Sequence, residues 1–213
     1  MAFFQLKDVN KKIRKFHVLK DINYEFKEKT IYGLYGKNGS GKTMLLRAIS
    51  GLIYPNSGEI LINQKVLHKD ISFPPSLGVI VENTALLPQY EAFKNLKILS
   101  KIKKIASDED IIEAIHRVGL DPHSKLKVGK FSLGMKQRLS IAQAIFEKPD
   151  IILLDEPTNA IDEEGVLQIY QLLKEEKARG ATIILTSHHK QDLEVLADQF
   201  IGMKDGRIIL DKE

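Results

Sequence analysis

The chain has 213 residues, room for one large domain or a domain with an inserted lobe, and its 43% hydrophobic and 28% charged content is ordinary for a globular protein. A formal charge of +4 and a pI near 9.0 are spread along the chain without any block of five like charges, so basicity alone names no partner. The absence of cysteine excludes disulfides, thiolate metal sites and thiol catalysis, and no apolar run approaches the roughly 20 residues that would span a bilayer.

Met1-Ala2-Phe3-Phe4 is followed at once by polar residues, unlike a signal peptide. Phe4, Leu6 and Val9, then Val18, Leu19, Ile22, Tyr24 and Phe26, alternate in a β-like way around Lys11, Lys12, Arg14 and Lys15, which predicts an antiparallel strand pair. Thr30 to Tyr35 reads as a strand. Beyond it Met44, Leu45, Ala48 and Ile49 recur at helical spacing until Gly51 offers a cap. A turn at Pro55 to Gly58 leads to a strand over 59–62, and another strand is expected over 77–81. From about Leu86 to Lys148 the pattern is helical, with Phe93, Leu96, Leu99 and Ile102 as one stripe and Ile111, Ile112, Ile115 and Val118 as a second. Strand 151–154, helix 163–179, strand 182–186, helix 191–197 and short strands at 200–203 and 207–210 follow, the last two joined by Lys204-Asp205-Gly206. Strands alternating with helices make this an α/β chain with a mainly parallel sheet, whose ligands belong at the strands' carboxyl ends. An antiparallel β part precedes that core. The expectation is a single domain over residues 1–213, with core segments of about 1–83 and 149–213 and a helical insertion of about 84–148.

Between the strand at 30–35 and its helix stands Gly36-Lys37-Asn38-Gly39-Ser40-Gly41-Lys42-Thr43, an unbroken phosphate-binding loop. Glycines let successive backbone N–H groups turn inward on a polyphosphate, and the following helix adds its positive end. Lys42 can reach the β- and γ-phosphates, and the Thr43 hydroxyl can ligate Mg²⁺. The motif implies a nucleoside triphosphate with Mg²⁺. Ile151 to Leu154, apolar at every position, reads as a strand buried on both faces and ends in Asp155-Glu156. Asp155 then suits the ion held by Thr43, and Glu156 suits orienting or deprotonating a water that attacks the γ-phosphate.

Carrying these two motifs, the whole chain resembles the ATP-binding subunit of an ABC transporter, a phosphate-loop NTPase. Phe131-Ser132-Leu133-Gly134-Met135, ahead of Lys136-Gln137-Arg138, resembles the family's signature motif. Asn159-Ala160-Ile161-Asp162 resembles its D-loop, and Thr186-Ser187-His188 its switch-histidine segment. The resemblance implies ATP hydrolysis by a head-to-tail pair of subunits, two copies of this chain or a heterodimer. Ser132 and Gly134 of one subunit, with Asp162, would cover ATP held by the other, and His188 would contact the γ-phosphate. It also implies separate transmembrane permease subunits, docked near Glu82 to Asn95, and a peripheral place on the cytoplasmic face of the membrane. An ATPase acting on nucleic acid or the ribosome is the alternative. Such relatives typically carry two cassettes or a long coiled-coil insertion, which this chain lacks, so no nucleic acid is expected.

Three departures stand out. Leu133 and Met135 replace a glycine and the glutamine of the usual signature, as in bacitracin-type peptide and drug exporters. Glu82 holds the place of the Q-loop glutamine, where its carboxylate would serve the metal or the water. Ile13 aligns with the aromatic that stacks on adenine, so base contact falls to Ile13 or to Phe16. Lys94, Lys97, Lys101 and Lys104 form a basic stripe, read as a solvated face or, alternatively, as a face close to anionic lipid headgroups or the partner subunit. His189, His17, His68, His116 and His123 carry no metal-ligand pattern.

Overall fold

A computed structural model describes residues 4–82, 85–188, 190 and 193–209. In chain order the elements are β1 (Phe4–Ile13), β2 (Phe16–Phe26), β3 (Ile31–Tyr35), α1 (Lys42–Ile49), β4 (Ser57–Ile62), β5 (Lys65–Val66), β6 (Leu77–Ile80), α2 (Ala92–Lys103) and α3 (Asp108–Arg117). A 3₁₀ turn (Val128–Lys130), α4 (Leu133–Ile145), β7 (Ile151–Leu154), α5 (Glu163–Arg179), β8 (Thr182–Ser187), β9 (Gln199–Lys204) and β10 (Arg207–Ile209) complete it. β1 and β2 pair antiparallel as their alternation predicts, and with β4 and the unforeseen β5 they form a sheet in the order β2-β1-β4-β5.

The second sheet runs β10-β9-β3-β8-β7-β6, and every pair except β10–β9 is parallel. Both of its faces are covered, which is why Ile151-Ile152-Leu153-Leu154 is apolar at every position. Ile151 and Leu153 enter a core with α1 and the antiparallel sheet, while Ile152 and Leu154 enter one with α4 and α5. The helical stretch has no separate core: Leu96, Ile111, Ile115 and Leu139 share a cluster with Ile152 and Leu154.

Two expectations need correction. Ile102 does not continue its stripe and is 76% exposed. Each i+3 step falls short of a full 3.6-residue turn, so Ile102 lies roughly 120° around α2 from the buried Leu96. Of the helix expected over 191–197, Gln191 and Asp192 lie outside the described residues. Residues 193–197 instead make tight turns, with the Leu196 N–H donating to Leu193 O at 3.0 Å. His189, Leu210 and the 83–84 junction also fall outside the described residues. In the basic stripe, Lys97 is paired with Asp108, whereas Lys94 and Lys101 are exposed.

α3 begins with a capping box. The Ser107 hydroxyl accepts from the Asp110 N–H at 3.1 Å and the Asp110 carboxylate accepts from the Ser107 N–H at 2.9 Å. Lys148 closes on the same carboxylate at 2.6 Å. The Lys148 ammonium foremost, then the Ser107 N–H, hold the Asp110 carboxyl at about 2, below the usual 3.8. A lowered carboxyl pKa contributes stability above the unfolded value and loses it as pH falls through the folded one. Asp110→Ala is expected to cost about 1 kcal/mol at neutral pH, an estimate held low because the pair is solvent-screened. In urea titrations that difference should shrink progressively below about pH 5 and vanish only near about pH 1. A difference constant over this range would contradict the account.

Candidate nucleotide site

The phosphate loop joins β3 to α1 at the carboxyl edge of the parallel sheet. Gly41 occupies the N-cap position at φ 109° with no side-chain cap, leaving the first N–H groups of α1 to a ligand. A Cβ there would also lie 2.8 Å from Val18 O. Lys42 is only 6% exposed, and its ammonium donates to Gly36 O at 2.6 Å. The buried Ser40 hydroxyl has no hydrogen-bond partner among the described residues. Uncapped N–H groups, a sheltered ammonium and an orphaned hydroxyl form a donor set suited to an oligophosphate.

Strand order brings the acidic pair to this loop. β7 lies beside β8 with Leu154 opposite Leu185, so Asp155 emerges next to Thr186. One Asp155 oxygen accepts from Thr43 Oγ1 and the other from Thr186 Oγ1, both at 2.7 Å. The Thr186 hydroxyl in turn accepts from the Glu156 N–H at 2.9 Å, so a single side chain aligns both acids. Glu156 sits at φ 49°, a left-handed conformation worth about 1–2 kcal/mol of strain in a non-glycine residue. Its Oε1 lies 3.3 Å from His188 Nε2. Hydroxyl and carboxylate oxygens converging at Thr43 and Asp155 fit a hard divalent cation bound jointly with phosphate oxygens.

A cavity of about 640 Å³ gathers Asn38 to Thr43, Asp155, Glu156 and His188 with Ile13 and Phe16 from the β1–β2 hairpin. Arg14, Val18 and Met44, which belong to no sequence motif, line it too. Gly36 and Lys37, the other expected contacts, do not line it, and their carbonyls hold the loop: Gly36 O takes the Lys42 ammonium and Lys37 O the Ser40 N–H at 3.1 Å.

Ser132, Gly134 and Asp162 are not in that cavity. They line a separate concavity of about 590 Å³ with Leu120, Met135 and Arg138. Ser132 caps α4, accepting from the Met135 N–H at 3.2 Å. Asp162 caps α5 and is paired with Arg138 at 3.0 Å. Glu82 is apart as well. It pairs with Arg47 on α1 at 2.5 Å and lines a groove of about 310 Å³ with Leu86, Pro88, Lys136 and Gln137. Asn95 is buried and spends its amide on Leu87, Tyr90 and Glu91, shaping that groove's rim rather than offering a contact.

Gln137, which follows the signature-like segment, is a link between elements. Its Nε2 donates to Pro157 O at 3.0 Å and more weakly to Glu156 O at 3.4 Å, tying α4 to the acidic loop. Arg138 beside it bonds Val118 O, Gln168 and Asp162, each at 3.0 Å. Nothing in local periodicity distinguishes these two from solvated polar residues.

The family model described as ABC transporter matches residues 19–159. The chain is 65% identical over 201 residues to an uncharacterized ABC transporter ATP-binding protein, YybJ, of Bacillus subtilis (strain 168), covering 94% of this chain and 92% of that protein. It is 37% identical to the bacitracin transport ATP-binding protein BcrA of Bacillus licheniformis, over 88% of this chain and 62% of BcrA. Among solved structures, the dimeric form of the bacterial ABC transporter cassette MJ0796 matches with a TM-score of 0.88 at 27% identity, covering 97% of both chains. A dimeric post-hydrolysis state of that cassette, bound to ADP and Pi, matches with a TM-score of 0.86 at 25% identity, covering 99% of this chain and 98% of that one. The phosphate loop, the aligned acids and these likenesses agree: the chain belongs to the ABC transporter family as one of its ATP-binding proteins.

Proposed function

We propose that the chain is the ATP-hydrolysing motor subunit of a bacterial ABC exporter of a peptide or drug, driving separate transmembrane subunits by ATP-dependent closure of a dimer. The observation that carries this reading is the split of the site: phosphate loop, acids and His188 share one cavity, while Ser132, Gly134 and Asp162 line another. A second subunit facing the first would bring these halves together over one nucleotide. No described helix is long and apolar enough to cross a membrane. The reading divides the domain into a core of about residues 1–83 and 149–213 and a helical subdomain of about 84–148.

In this reading the loop N–H groups and Lys42 bind the β- and γ-phosphates, and Thr43 with Asp155 would hold Mg²⁺. When bound, that ion neutralises charge on the phosphate oxygens. Glu156 takes a proton from the attacking water and His188 orients it against the γ-phosphate. Gln137 reports the position of α4 to the acidic loop, and the groove around Glu82 receives the transmembrane subunit.

The test uses the Glu156→Gln subunit, which should dimerise on adding ATP with Mg²⁺. Adding Ser132→Glu, which sets a carboxylate against the partner's phosphates, is expected to weaken ATP-driven dimerisation at least about tenfold in sedimentation velocity. ATP binding per subunit should be unaffected. An undiminished dimer would sink the composite-site reading.

A further inference from the structure

Beyond the phosphate end, the 640 Å³ cavity is walled by the β1–β2 hairpin, through Ile13, Arg14, Phe16 and Val18. This is the end left for the base once the phosphates occupy the loop. It lacks a sheltered ring, because Phe16 is 75% exposed and position 13 is aliphatic. Its one side chain with strong hydrogen-bonding capacity is Arg14, which makes no hydrogen bond or ion pair among the described residues. Arg14 and Lys15 form the two-residue tip between the paired Ile13 and Phe16, and Arg14 sits at φ 54°. Such tips favour glycine, asparagine or aspartate, and arginine there bears about 1 kcal/mol of backbone strain. Turn chemistry does not account for this residue.

We infer that Arg14 is a specificity-determining residue that reads the purine edge and admits GTP, alongside ATP, to this site. The inference rests on the nucleotide reading above. A guanidinium carries five donors and no acceptor. Guanine offers O6 and N7, two adjacent acceptors matched to its fork, whereas adenine offers N7 beside an amino donor. Adenine still offers N7 to one N–H of the fork, so ATP is not excluded. A stacked aromatic alone would scarcely tell the two bases apart. A donor-only group at the edge tilts the balance toward guanine. A bidentate contact of this kind discriminates by about 1–3 kcal/mol, and the exposed tip places the effect at the low end, roughly fivefold.

The experiment is calorimetric titration of the full chain with ATP and with GTP, each with Mg²⁺, for the wild type, Arg14→Ala, Arg14→Gln and Lys42→Ala. Wild type is expected to bind GTP at least as tightly as ATP. Arg14→Ala should lower GTP affinity about fivefold and change ATP affinity less than about twofold. Arg14→Gln should reverse the preference, because an amide donates to N7 and accepts from the adenine amino group. A purely structural role would not produce that reversal. Lys42→Ala should weaken both nucleotides alike. If wild type binds ATP but GTP more than about tenfold more weakly, or if the two Arg14 variants leave the ratio unchanged, the inference is overturned and the ATP site stands. If wild type binds neither nucleotide, the site reading itself fails.

Discussion

Glu156→Gln is expected to slow ATP turnover by about 10²–10⁴-fold, the range for removing a general base, while ATP affinity changes by less than about threefold. The asymmetry follows from the separation of roles in the site. Asp155 is aligned by Thr43 and Thr186, and Lys42 by Gly36, none of which depends on the Glu156 carboxylate. Glutamine fits the same volume and keeps a hydrogen-bonding head beside His188, but it cannot take a proton. The Glu156 backbone, bonded to Thr186 and reached by Gln137, would also stay in place. Phosphate release under saturating ATP, read against equilibrium binding of ATP, separates the two effects. Full turnover in the variant would remove Glu156 from its assigned role, and lost binding would show that the carboxylate shapes the cavity.

The second large effect is on stability. Gly78 lies in β6 where α4 crosses the sheet, and a Cβ there would fall 1.8 Å from Ala144 O and 2.9 Å from Pro149 Cγ. No rotamer relieves a clash with a backbone carbonyl, so the helix or the strand must move. Overpacking typically costs 1–3 kcal/mol, and this contact belongs at the upper end, about 3 kcal/mol for Gly78→Ala. For a chain of this size that corresponds to a fall of about 6–12 °C in Tm. Displacing α4 would also disturb the tie from Gln137 to the acidic loop, so turnover should fall even below the melting range. A Tm within about 2 °C of wild type would show that β6 and α4 separate at little cost.

Much of this molecule is legible from local pattern. The phosphate loop is contiguous and announced by its glycines and by the apolar strand and helix around it, although the Gly206 N–H also holds it through Ser40 O at 2.9 Å. β7 announces burial on both faces through unbroken apolarity, and α5 spans 163–179 as expected. The Asp155–Glu156 pair could be placed at a strand's carboxyl end for the same reason. Its orientation could not, because it depends on Thr43 and Thr186, brought alongside by strand order and register. The same holds for the Arg47–Glu82 pair, which turns an expected metal ligand toward α1, and for Gln137 and Arg138, whose partners lie in other elements. Hydropathy periodicity records which face of an element is covered but not by what. Partner identity arises only when sheet order and helix crossing bring distant backbone and side-chain groups within about 3 Å, the reach of a hydrogen bond.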